Sequence, residues 1–205
     1  METMTRREFG AYVVKGGALV LVAASGVSSS VLLSGCGVIQ DIETWVPEGI
    51  AAVNAIENLL ISNGFPVTGV ALVAFNDTID ALNLVLNTAK TYASTNPPPS
   101  GALQKLQAAI AAVVSNLSAF LQAVQIPDMG LISLIVSLAQ IIISTILGFA
   151  NQLPTATQLV QQAKRRTWKV GATSFNVQAQ KRSPKQFKHD FNQTLTPKYS
   201  QLYVR

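Results

Sequence analysis

Few side chains in this sequence can do chemistry. It holds one histidine, His189, followed by Asp190, and one cysteine, Cys36. A His-Asp pair is a fragment of an acid–base or metal site, but a zinc centre needs three or four ligands and a nucleophilic triad needs a base oriented by a third group. With no second histidine to complete either arrangement, His189 reads as an exposed residue of a C-terminal segment. Asp77 and Asp80 are three residues apart, so on a helix they share a face as paired carboxylates would. A solvated helix face explains them more simply. No phosphate-cradling glycine loop is present, because the Gly16-Gly17 pair falls in an apolar N-terminal leader. The expectation is a non-enzymatic protein with no catalytic residues, no metal and no cofactor.

The leader has the three parts of an export signal in order. Arg6, Arg7 and Lys15 make a positive start, Ala18–Ala24 and Val31–Leu33 make a modest apolar stretch, and the small residues Ser34 and Gly35 precede a cut. Gly and Ser break the segment too often for a good membrane span. Thr5-Arg6-Arg7-Glu8-Phe9 resembles the twin-arginine translocation motif through Arg6, Arg7 and Phe9; Gly10 and Ala11 stand where that motif usually has Leu and Lys. Leu33-Ser34-Gly35-Cys36 resembles a bacterial lipobox. The resemblance implies that Cys36 becomes a diacylglyceryl-bearing N-terminus on an exported protein, anchored in the bacterial cell envelope and facing the periplasm. Two or three acyl chains, at about 0.8 kcal/mol per buried methylene, hold a protein where one chain is marginal.

Removing residues 1–35 leaves 170 of 205 residues, enough for one core. Charged residues make up 12% of the chain, about half the ordinary ~25%, and the mean hydropathy is +0.34. Such a chain must hide apolar surface in a tight bundle, a partner or lipid. The predicted layout is a lipidated tether at 36–47, a bundle at 48–166 and a basic tail at 167–205. The tether holds Asp41, Glu43 and Trp45, with the indole either at a membrane interface or packed under the first helix. The first helix runs from Pro47 to Ser62 with Ile50, Val53, Ile56 and Leu60 on one face. Phe75, Ile79, Leu82, Leu86, Ala89 and Ala93 make a heptad-like stripe for the second, before the break at 96–99. Ser100 is the expected N-cap of a third helix carrying Leu103, Leu106, Ile110, Val113, Leu117, Leu121 and Val124. The fold class is therefore all-α, an up-and-down bundle of four to five helices with a weakly structured tail.

The fourth helix, Met129–Asn151 behind an Asp128 cap, is ambiguous. Its first 22 residues carry no charge and would span about 33 Å, near the ~30 Å of bilayer hydrocarbon. Ser133, Ser137, Gln140 and Ser144 draw a polar seam along it, facing solvent or a loop if the helix is the centre of a bundle. The alternative is a helix that enters lipid or packs on a membrane protein through its small residues. Twin-arginine export implies folded cargo, which favours the bundle.

A shorter helix is expected at 152–166, and beyond it the charge changes sign. Residues 36–163 hold two Lys against seven Asp or Glu, a net of −5; residues 164–205 hold ten Lys or Arg against Asp190 alone, a net of +9. Lys164, Arg165, Arg166, Lys169, Lys181, Arg182, Lys185 and Lys188 form the expected basic patch, interleaved with aromatics. An exported, anchored protein gives such a patch no nucleic acid to bind. Anionic lipid, an envelope polymer or an envelope protein partner fits better, and so does a tail folded back on the acidic bundle. A short strand within Trp168–Val177 and a short helix at Pro184–Leu195 are the only order expected there.

Overall fold

The computed structural model describes residues 29–95, 100–153, 168–170, 173–195 and 197–205. Four main helices pack against one another, α1 (Ser29–Ser62), α2 (Gly69–Ser94), α3 (Ala102–Ala123) and α4 (Met129–Ala150). A small antiparallel hairpin follows, β1 (Trp168–Val170) with β2 (Thr173–Phe175), then α5 (Pro184–Thr194) and a 3-10 turn at Pro197–Leu202. The chain is the all-α bundle its periodicity predicts. The expected helix at 152–166 lies outside the described residues.

The longest element departs most from the sequence reading. α1 does not begin at Pro47: it runs through Pro47 without a break, and residues 38–47 are core rather than tether. Val38, Ile39, Ile42, Trp45 and Val46 recur at helical spacing and are all buried. Proline costs a helix interior about 3 kcal/mol, whereas each buried aliphatic side chain returns about 1.5–3 kcal/mol, so the apolar face decides. The remaining penalty is local, because the Glu43 carbonyl has no amide donor at position 47.

α2 and α3 form the most extensive pair in the bundle. Phe75, near the start of α2, meets Phe120, near the end of α3, with ring centroids 5.7 Å apart, and Asn116 donates to the Asp77 carbonyl at 3.0 Å. The two helices are therefore antiparallel. The buried stripe of α2 is Ala71, Ala74, Phe75, Thr78, Ala81, Leu82, Val85 and Ala89, so Ile79 and Leu86 lie at its margin and Ala93 is exposed. α3 buries its predicted face, with Leu103 at the edge. Its N-cap is Gly101, in the left-handed region at φ 77°, rather than Ser100.

α4 starts at Asp128, whose carboxylate accepts from the amides of Gly130 at 2.7 Å and Leu131 at 3.1 Å. Its seam grades along the helix: Ser133 is exposed, Ser137 and Gln140 are half-buried, and residues 141–150 are buried on every face. The second half is enclosed by α1, whose Trp45 meets Phe149, together with the C-terminal segment. That segment is not the weakly structured tail its composition suggests, since Val177, Phe187, Phe191, Leu195 and Val204 belong to the same core as α1–α4. Ser183 caps α5 with a capping box, accepting from the Gln186 amide while Gln186 Oε1 accepts from the Ser183 amide, and Pro184 fills the first turn. Phe187 and Phe191, one turn apart, give α5 a single apolar face among polar residues.

Candidate functional site

The chemistry-bearing side chains do not converge. Among the described residues no group of three or more His, Cys, Asp or Glu is arranged to hold a metal. His189 is exposed on α5, and its neighbour Asp190 is engaged by Arg182. Asp77 and Asp80 are exposed on the outer face of α2. Leu33, Ser34, Gly35 and Cys36 lie in the first turns of α1. Arg6, Arg7 and Phe9 of the leader and Lys164, Arg165 and Arg166 of the basic patch lie outside the described residues, and Lys169 is in β1.

The described part of the basic patch divides by environment. Lys181 and Lys185 are exposed, whereas Arg182 and Lys188 turn toward acidic partners. Arg182 is the centre of a polar cluster on α4. Its Nε donates to Asp190 Oδ2 at 2.8 Å, its Nη1 to Ser144 Oγ at 2.5 Å and Thr145 Oγ1 at 3.3 Å, and its Nη2 to Gln180 Oε1 at 2.6 Å. The arginine side chain is 11% exposed and that of Asp190 37%, so the pair sits at the boundary of the core. The Gln180 amide donates to the Ser144 carbonyl at 2.9 Å. One turn on, Gly148 lets the Gln180 carbonyl lie against α4 where a Cβ would overlap it.

Further ties run along α1. Lys188 Nζ pairs with Glu48 at 2.6 Å and donates to the Arg205 carbonyl at 2.7 Å. Tyr199 donates its hydroxyl proton to Asn63 Oδ1 at 3.0 Å, and Asn192 closes two hydrogen bonds with Val204. Beneath α5, the Trp45 ring meets Phe149 at 5.6 Å and Phe187 at 5.5 Å, both edge-on. Among the described residues the fully buried indole Nε1 has no acceptor, and the buried Glu43 Oε1 has no donor. An unpaired buried polar group costs about 1–3 kcal/mol, so this packing is favourable despite a penalty at its centre.

The seam identified Ser144 from sequence, and of the two places expected for the Trp45 indole the buried one holds; Thr145, Gly148 and Gln180 gave no local signal, because each matters only through a partner more than thirty residues away. At the other end of the bundle a cleft of about 220 Å³ is lined by Phe65, Pro66, Thr68, Ala71, Ala123 and Val124. Ile61, Val70, Val73 and Met129 are exposed at that same end. By length and composition α2, α3 and α4 are each apolar enough to cross a membrane, α4 being the most buried of the three. Compared with family models, curated proteins and solved structures, the chain matches none.

Proposed function

We propose that this chain is a non-enzymatic, lipid-anchored protein of the bacterial cell envelope, exported by a twin-arginine-type signal and acting through contact with an envelope protein, anionic lipid or surface polymer. The observation that carries the reading is Cys36 directly after Leu33-Ser34-Gly35 at the end of an export-type leader. The continuity of α1 supports a working consequence. From Cys36 to Ser62 one helix of about 39 Å joins the modified residue to the far end of the bundle, at 1.5 Å per residue. An anchor at Cys36 would hold the exposed Ile61, Val70, Val73 and Met129 away from its own membrane, where they offer an apolar contact surface. Cys36→Ser is expected to abolish incorporation of a labelled fatty acid and release the protein from membranes; undiminished labelling would refute the lipobox.

A second reading, a module that binds lipid or another apolar ligand or inserts a helix into the membrane, draws on α4. Its 22 residues are free of charge and reach the length of a bilayer span. One side of its buried second half is covered by the C-terminal segment of the chain, the rest by the bundle.

A further inference from the structure

We propose that the C-terminal segment 176–205 is a latch on α4, opened by anionic lipid head groups that compete with Glu48 for Lys188 and with the Ser144 and Thr145 hydroxyls for Arg182. It rests on the membrane-inserting reading of α4.

The polar contacts are asymmetric in what each side loses on opening. Ser144 Oγ donates to the Ile141 carbonyl at 3.1 Å, Thr145 Oγ1 to the same carbonyl at 2.7 Å, and Ser137 Oγ to the Ser133 carbonyl at 2.9 Å. These hydroxyls keep intrahelical partners when the latch leaves, which is the condition a helix must meet in hydrocarbon. The latch loses more: Arg182 gives up the Ser144 and Thr145 hydroxyls but keeps Asp190 and Gln180 of its own segment, whereas Lys188 gives up Glu48 of α1. A phosphate diester offers acceptor oxygens to both cations, since ammonium and guanidinium donate to phosphate as they do to carboxylate or hydroxyl.

The surroundings favour that exchange. Lys181 and Lys185 lie on the latch beside Arg182 and Lys188, are exposed and form no ion pair among the described residues. They would bring an anionic surface to the place where Arg182 and Lys188 are held. Opening also uncovers the Phe187 side of Trp45, whose indole N–H has no acceptor among the described residues. The face uncovered on α4 would hold Ser144, Thr145 and Gly148 and continue the seam of Ser133, Ser137 and Gln140.

The test uses the full chain with Cys36→Ser and Ser137→Cys, carrying an environment-sensitive fluorophore on the half-buried position 137. It is mixed with vesicles of phosphatidylglycerol or of phosphatidylcholine. The intact latch should give a blue-shifted, lipid-buried signal with phosphatidylglycerol alone. Arg182→Gln should give it with either lipid, and Glu48→Gln, which removes the ion pair to Lys188, should need about tenfold less anionic lipid, the scale of one charge-assisted hydrogen bond. In a Trp168→Phe chain, Trp45 should become open to acrylamide quenching over the same lipid range. Should Arg182→Gln fail to fold, Glu48→Gln tests the latch through its lower lipid requirement, since it leaves the bonds from Arg182 to Ser144 and Thr145 in place. Equal insertion by all variants into both lipids would overturn the latch and leave the membrane reading standing. Trp45 remaining shielded while the probe enters lipid would also overturn the latch. No insertion by any variant would overturn both.

Discussion

Gly148 and Glu57 show how much single positions depend on distant partners. Alanine in a helix interior is favoured over glycine by about 1 kcal/mol. At Gly148 the expected sign is reversed, because a Cβ there would collide with the Gln180 carbonyl. Gly148→Ala is expected to destabilise the chain by about 1–3 kcal/mol, the usual cost of overpacking. Thermal unfolding, with faster hydrogen exchange at the Gln180 amide, checks it. Glu57 is half-buried on α1, and burial pushes its carboxyl above the ordinary value of 4.5. The folded chain then holds that proton more tightly than the unfolded chain. Stability is gained as pH falls through the raised value and is lost as pH rises through it, so the ionised group opposes folding at neutral pH. Glu57→Gln should raise stability at pH 7 by less than about 0.5 kcal/mol, as befits a partly exposed site. Denaturant midpoints measured from pH 7 to pH 4 should show the gain vanishing toward acid.

At the scale of elements, Pro47 separates local preference from packing. Proline suits a first helical turn, and reading it as a start is sound chemistry for the ten residues around it. The period of Val38, Ile39, Ile42, Trp45 and Val46 was nevertheless in the sequence, and it joins the face of Val53, Ile56 and Leu60 without a phase change. Pro47 is exposed and its substitution disturbs no core contact of its own. Pro47→Ala should restore the amide donor to the Glu43 carbonyl and stabilise the protein by up to about 3 kcal/mol; a lower denaturant midpoint would show that α1 needs a bend there. α5 teaches the complementary lesson. Its Ser183-Pro184 start was legible as a short helix, but two phenylalanines among lysines and glutamines do not announce a core element until Trp45 and Phe149 are seen beneath them.

At the scale of the whole molecule, the two ends of the bundle differ in chemistry. In the loops 63–68 and 124–128, at the end gathering Ile61, Val70, Val73 and Met129, Asp128 is the one charged residue and is occupied as a helix cap, while Tyr199 of the C-terminal segment reaches Asn63 there. Along α1 in the other direction stand Glu48 with its Lys188 partner and, at the first turns, Cys36. The Cys36→Ser chain separates two modes of attachment: protein that leaves membranes is held by the acyl chains, and protein that survives a carbonate wash is held by α4.

The sequence by itself determined the helical class, the sole thiol and the charge reversal near residue 164. Helical period, caps and composition are local properties, written in neighbouring residues. Tertiary structure alone decided that residues 38–47 are core, that Arg182 and Lys188 face inward while Lys181 and Lys185 do not, and that the second half of α4 is covered. Those outcomes depend on which surfaces meet. A buried arginine and an exposed lysine look alike in a run of basic residues, and only the Ser144 hydroxyl opposite one of them tells them apart.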